Sequence, residues 1–265
     1  DRMDPETRRS IRVWAENYSS KHASIDADFY CCKMTLEHIP NAREFVQMLR
    51  TSIGERENVS IFFQVPNAER ILIEQAFEDI YYEHCSYFTL TSLAYLFESN
   101  GFKITLLDKA YDDQYLMLEA IPAKDESGID ISDKNIILMA EQVRVFGKNV
   151  EKKQQFWRSY ISSQKDRNKR IVLWGGGSKA VAFLTSLQLS DEISYVIDIN
   201  PYKQGCFLPQ TGHDVLSPEV LQKEPADIII VMNPSYRLEI KHLLEEMNIE
   251  PDLVTINSYS SDDLM

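Results

Sequence analysis

Apolar positions along the first half of the chain fall into short runs separated by polar turns. Ile11 to Tyr18 and Ala27 to Met34 carry several β-branched, aromatic or other apolar residues, which predicts two strands. From Asn41 to Ile53 the period changes: Phe45, Val46, Leu49 and Ile53 fall at helical spacing, and Gly54 follows as a stop signal. Val59 to Val65 reads as a third strand ended by Pro66, and Leu90 to Asn100 as an amphipathic helix closed by Gly101. Two further apolar runs, Lys103 to Tyr111 and Gln114 to Ile121, are separated only by Asp112 and Asp113. That gap holds a hairpin turn but no crossover helix, so the two strands pair antiparallel if they pair at all. The expected arrangement is thus an α/β series closed by an antiparallel pair, a pattern that many α/β sheets share.

The pattern then breaks. Ala123 to Asp133 is mostly polar and is the linker-like stretch, so the expected boundary falls there: a first lobe at 1–123, a linker and bridging helix at 124–168, and a second lobe at 169–265. A long helix is predicted from Lys134 to Gln164, with Val143, Phe146, Val150, Phe156, Trp157, Tyr160 and Ile161 as its apolar stripe and Gly147 as a weak point midway. Such a helix serves as a bridge or as a dimer seam. Beyond it, Arg170 to Trp174 predicts a strand, Gly175 to Gly177 a turn, Lys179 to Leu187 a helix, Ile193 to Ile199 a strand and Asp227 to Met232 another. Tyr236 to Met247 predicts a final helix and Leu253 to Ile256 a final strand. Strand, glycine turn, helix and strand describe a Rossmann-like half. The expected class is therefore α/β: an incomplete class I methyltransferase-like sheet, then a Rossmann-like α/β domain, joined by a long helix.

Composition narrows the function. The 265 residues are 44% apolar and 26% charged, as in an ordinary globular protein, and are long enough for two domains with their own cores. A net charge of −13, with no dense Lys/Arg cluster, disfavours nucleic acid and anionic membranes as partners. No apolar run is long enough to cross a bilayer and Asp1 to Ser10 is too polar for a signal peptide, so a cytoplasmic location is expected. Cys31, Cys32, Cys85 and Cys206 include no C-x2-C pair, so no metal ligands are expected among them, and Cys31 and Cys32, in an apolar run, are expected to be buried reduced thiols.

Two constellations carry chemistry. Gly175-Gly176-Gly177-Ser178-Lys179-Ala180 fits the G-x-G-x-x-G/A form, in which bare backbone N–H groups approach a phosphate at a helix N-terminus. Asp198, near the end of the next strand, is placed to accept a ribose hydroxyl, and Lys179 adds a positive charge; the competing reading is a tight turn with no ligand. The second constellation joins Leu36-Glu37-His38-Ile39-Pro40, just after a predicted strand, to the ionisable and aromatic run Asp79 to Phe88. These groups supply a base, an orienting carboxylate and walls against water, or else form a hydrogen-bonded loop that packs its aromatics.

LEHIP at 36–40, VPN at 65–67, DIYYEHCSYFT at 79–89, WGGGSKA at 174–180, DINPYKQG at 198–205 and LSPEVL at 216–221 together resemble the SAM-dependent sugar C-methyltransferase family. The resemblance implies methyl transfer from S-adenosylmethionine to carbon of a nucleotide-linked keto sugar: the carbon beside a carbonyl loses a proton and the enolate takes the methyl group. It further implies His84 as general base, Glu83 as its neighbour in the site and His38 as a substrate-orienting or enolate-stabilising group. Tyr82, Tyr87, Gly175, Gly177, Lys179, Asp198 and Lys203 are expected to meet substrate, and Asp4 to contact the cofactor ribose. Such enzymes begin with a cysteine-rich zinc domain and a glycine-rich SAM loop, neither of which precedes Ile11, so an incomplete cofactor site is expected, with zinc confined to an upstream domain. Gln64 and Met34 depart from the glutamate and histidine expected there. An NAD(P)-dependent oxidoreductase or other nucleotide-binding enzyme, and a catalytically inactive binding or scaffold protein, are the alternatives.

Overall fold

Strands β1 (Phe29–Lys33), β2 (Ser60–Pro66), β3 (Phe102–Ala110) and β4 (Tyr115–Pro122) form one sheet in the order β1-β2-β4-β3. The structure, a computed structural model, describes residues 10–123 and 133–258. β1 runs parallel to β2, and β4 runs antiparallel to both β2 and β3. The four-residue connection from Tyr111 to Gln114 turns the chain back, with Asp112 and Asp113 in the left-handed region that short polar residues tolerate and Tyr111 in the same region. Helices α1 (Ala42–Ile53), α2 (Ala68–Glu74) and α3 (Leu90–Glu98) accompany this sheet. α1 buries Val46, Leu49 and Ile53 and stops at Gly54, whose φ of 63° favours glycine. Thr89 and Ser92 cap α3 reciprocally. Helix α2 has no strong apolar period in the sequence; Asn67 starts it by accepting a bond from the Glu69 amide.

Two expectations fail in this half. Ile11 to Tyr18 forms no strand, and Ile11, Val13 and Trp14 stay 40–63% exposed. Apolar residues alone do not make a strand; the backbone also needs a partner, and among the described residues β1 pairs only with β2. The cysteines are free, but the neighbouring pair is not buried as expected: Cys31 is exposed and Cys32 is half-buried. Cys31 alternates outward on an edge strand, while burial pushes the Cys32 thiol up to about 11.

Helix α4 (Asp133–Asp166) runs unbroken through Gly147, beside which there is open space. Its stripe divides: Trp157 and Ile161 are fully buried, but Val143 is 51% exposed, because only the C-terminal half lies on the second sheet. That sheet comprises β5 (Ile171–Trp174), β6 (Val196–Ile197), β7 (Cys206–Phe207), β8 (Asp214–Leu216), β9 (Ile228–Val231) and β10 (Asp252–Thr255) in the order β10-β9-β5-β6-β8-β7. Its pairs are parallel except β7 with β8. Helices α5 (Ser178–Leu187) and α6 (Arg237–Glu246) pack on opposite faces, which is why β5 and β9 are apolar at every position. β6 is shorter than the apolar run from Ile193 to Ile199; Ile193 and Tyr195 are buried outside the ladder.

The halves are sewn together by the turn after α2. Phe77 leaves the first half and joins the core of the second, stacking on Phe183 with ring centroids 6.1 Å apart. Beside it Lys153 of α4 and Glu78 are both buried, 3.6 Å apart, and Lys153 Nζ donates to the carbonyls of Glu74 and Gln75. Gln114 Nε2 donates to Ser235 Oγ at 2.8 Å, and Asn257 Nδ2 to Glu74 Oε2 at 3.2 Å. Among the described residues no helix is long and apolar enough to cross a membrane.

Candidate active site

Two loops meet at the carboxyl ends of β1 and β2. The first, a single 3-10 turn from Leu36 to His38, is held down by Leu36, which is fully buried in the first core. The second runs from Phe77 to Thr89 and closes with a bridge between Phe88 and Asn67. Backbone bonds join them: the amides of Cys85 and Ser86 both donate to the Glu37 carbonyl, at 2.7 and 3.2 Å. His38 Nδ1 lies 3.1 Å from the Glu83 carbonyl, an acceptor only, so that nitrogen carries the proton and Nε2 presents its lone pair.

The result is a ring cluster. His38 and His84 pack edge to face with centroids 4.8 Å apart, and Tyr81 and Tyr87 flank His84 at 4.7 and 5.8 Å. His84 is half-buried; burial, then His38 beside it, holds its pKa below the ordinary histidine value, with Asp79 and Glu83 opposing. Its Nδ1 is buried and has no hydrogen-bond partner. Glu37 is 1% exposed, and neither of its carboxylate oxygens has a hydrogen-bond partner of normal geometry. Burial raises its pKa against the opposing backbone N–H groups of Glu37 and Thr35 and the nearby His38.

Tyr81 links this cluster to the second half. Its hydroxyl donates to Asp79 Oδ1 at 2.8 Å, and burial, followed by Asp79, raises its pKa. Asp79 Oδ2 in turn accepts from Lys179 Nζ at 2.7 Å and lies 3.6 Å from Arg70. Tyr81 also walls a cavity of about 440 Å³ at the carboxyl ends of β5, β6 and β9, lined further by Trp174, Gly177, Lys179, Lys203 and Tyr236. A neighbouring cavity of about 500 Å³ between the halves is lined by Tyr81, Tyr82, Glu83, Gly177 and Gln210.

The glycine turn joins β5 to α5 and is braced from within. Gly175 needs its φ of 113°, and a Cβ there would press on Met232 at 3.3 Å. Gly176 donates its amide to Asp198 Oδ2 at 2.9 Å, while Asp198 Oδ1 accepts from the Asn200 amide and Oδ2 also from Lys203 Nζ. The carboxylate anticipated for a ribose is therefore folded back onto the glycine turn itself, and only 7% of the residue is exposed.

The remaining expected residues are distributed as follows. Tyr82 is 98% exposed at the cavity rim, Glu83 serves His38 through its carbonyl while its side chain is exposed, and the Tyr87 hydroxyl accepts from the Tyr81 amide. Asp4 lies outside the described residues. Glu37, Tyr81 and Asp79 fall within the two constellations of the sequence but carry no assigned role there; Glu37 and Tyr81 adjoin assigned residues in LEHIP and IYYEH, and nothing in the spacing marks their burial or contacts.

Residues 3–107 match the family described as methyltransferase domain, and residues 132–251 match the C-methyltransferase C-terminal domain. The chain is 25% identical over 216 residues to C-methyltransferase NovU of Streptomyces niveus, an alignment covering 77% of this chain and 50% of that protein. The chain thus spans about half the length of this curated relative.

Proposed function

We propose that this chain, which belongs to the C-methyltransferase family, handles the substrate and the proton in methyl transfer to carbon of a small nucleotide-linked keto compound such as a keto sugar. The observation that carries this reading is the contact of His38 with His84, 4.8 Å between centroids, beside a tyrosine that walls a nucleotide-sized cavity. In the proposed step His84 accepts the proton from the carbon next to the carbonyl. The electron pair of that C–H bond becomes the enolate, while His38, whose Nε2 lone pair can accept from a substrate hydroxyl, orients the substrate. Tyr81 and Tyr87 keep water from the imidazole. S-adenosylmethionine is the family's methyl donor, and the first half offers no glycine turn for it among the described residues. Its described glycines, Gly54 and Gly101, both follow helix ends. The chemistry assigned to this chain is therefore limited to proton abstraction and substrate binding.

For the nucleotide, the cavity bordered by Gly175, Gly177, Lys179 and Lys203 is the assigned place, with Tyr236 and Trp174 as apolar walls. The test is Gly177→Val. Gly177 has an ordinary extended φ, and the nearest atom a Cβ would meet is Lys203 Nζ at 3.9 Å, so the side chain fills the cavity without straining the fold. A nucleoside diphosphate should bind at least about tenfold more weakly, a loss of roughly 1.4 kcal/mol; unchanged affinity in calorimetry removes the glycine turn from the substrate site.

A further inference from the structure

We propose that Glu37, His38 and His84 bind one divalent transition-metal ion of the zinc type. One ligand atom from each lies within 4.8 Å of the others, and His38 Nε2 is 4.0 Å from Glu37 Oε1. Two imidazoles and a carboxylate with a fourth position open are a ligand set that suits zinc, whose bonds to nitrogen and oxygen are about 2.0–2.2 Å. Binding requires the three atoms to draw closer together than these separations.

Three separate features point to a cation. Glu37 is 1% exposed and neither of its oxygens has a hydrogen-bond partner of normal geometry, only the weaker approach of the Glu37 and Thr35 backbone N–H groups, a costly state for a buried carboxylate that a metal ion relieves. His84 Nδ1 is likewise buried with its bonding capacity unused. His38 is oriented as metal-bound histidines are: its far nitrogen is fixed by a backbone carbonyl, that of Glu83 at 3.1 Å, which leaves Nε2 aimed toward Glu37 as a lone-pair donor. The sequence hides the site because two ligands are adjacent and the third comes from another loop, without a recognisable ligand spacing. Bound metal takes the nitrogen lone pairs, so the loaded site is an off state for proton abstraction; this consequence rests on the role proposed for His84, whereas the binding does not.

The test is a titration of the metal-stripped full chain with Co(II), followed by its visible ligand-field absorption, with Zn(II) displacing it. One equivalent should bind, and Glu37→Gln, His38→Asn and His84→Asn should each weaken binding at least about tenfold, while Cys85→Ser, which removes the nearest exposed thiol, leaves it unchanged. Thermal melting checks each fold, and because His38 is an exposed residue, its variant keeps the test decisive if Glu37→Gln does not fold. The proposal is overturned by absence of a ligand-field band, by a band that survives all three substitutions, or by one that vanishes in Cys85→Ser. Because the readout is binding, failure here leaves the methyl-transfer assignment standing, and failure of that assignment leaves the metal site standing.

Discussion

His84 is held between an aromatic pair and a second imidazole, with one buried nitrogen free of partners. Replacing it removes the assigned base without emptying a core, since the residue is only half-buried. We expect His84→Ala to retain its circular dichroism and melting profile and, on the proposed function, to lose methyl transfer by roughly 10²- to 10⁴-fold, the usual worth of a positioned base. Unimpaired turnover would exclude His84 from the mechanism. At this scale the sequence was informative about residue types and silent about their states. The histidines of LEHIP and YYEHC were readable as candidates, but the burial of Glu37 beside them was not, because an acid in a turn is ordinarily solvated. Asp198 shows the converse: its position after a strand suited a ribose, yet the carboxylate is taken by Gly176, Asn200 and Lys203. Asp198 nevertheless still lines the cavity beside the glycine turn.

Helix α4 carries the clearest energetic test among the elements. Trp157 is fully exposed to neither solvent nor chain ends but buried at 0% exposure against Phe183, and one turn earlier Lys153 enters the same region beside Glu78. Burial lowers the pKa of Lys153 and raises that of Glu78, each opposed by the other's charge. Breaking such a pair leaves one uncompensated buried charge. Lys153→Met should therefore cost about 3–5 kcal/mol, and the double variant Lys153→Met/Glu78→Leu should recover much of the loss. Urea denaturation decides it, and equal midpoints for wild type and Lys153→Met would show that the pair contributes nothing. The helix itself was legible from its period, since Phe156, Trp157, Tyr160 and Ile161 recur at helical spacing. Which half of the stripe is buried was not, because Val143 fits the same period and faces outward.

Over the whole molecule, the first sheet has four strands among the described residues, and the glycine turn belongs to the second. We expect a calorimetric titration of this chain with S-adenosylmethionine to give weak or undetectable binding; micromolar affinity would mean that a donor site forms without a glycine turn in the first half. The two halves should respond to denaturant together, since Phe77, Lys153, Lys179 and Gln114 all make contacts across them. By itself the sequence determined the α/β class, most helices and strands, the antiparallel closing pair and the candidate histidines, because periodicity, caps and a short turn act between near neighbours. Only the tertiary structure decided that Ile11 to Tyr18 has no strand partner, that Phe77 crosses into the second core, that Asp198 turns back on the glycines, and that His38, His84 and a buried Glu37 meet. Those outcomes depend on which distant segments bury one another and which polar atoms are thereby left without water, and no local pattern encodes either.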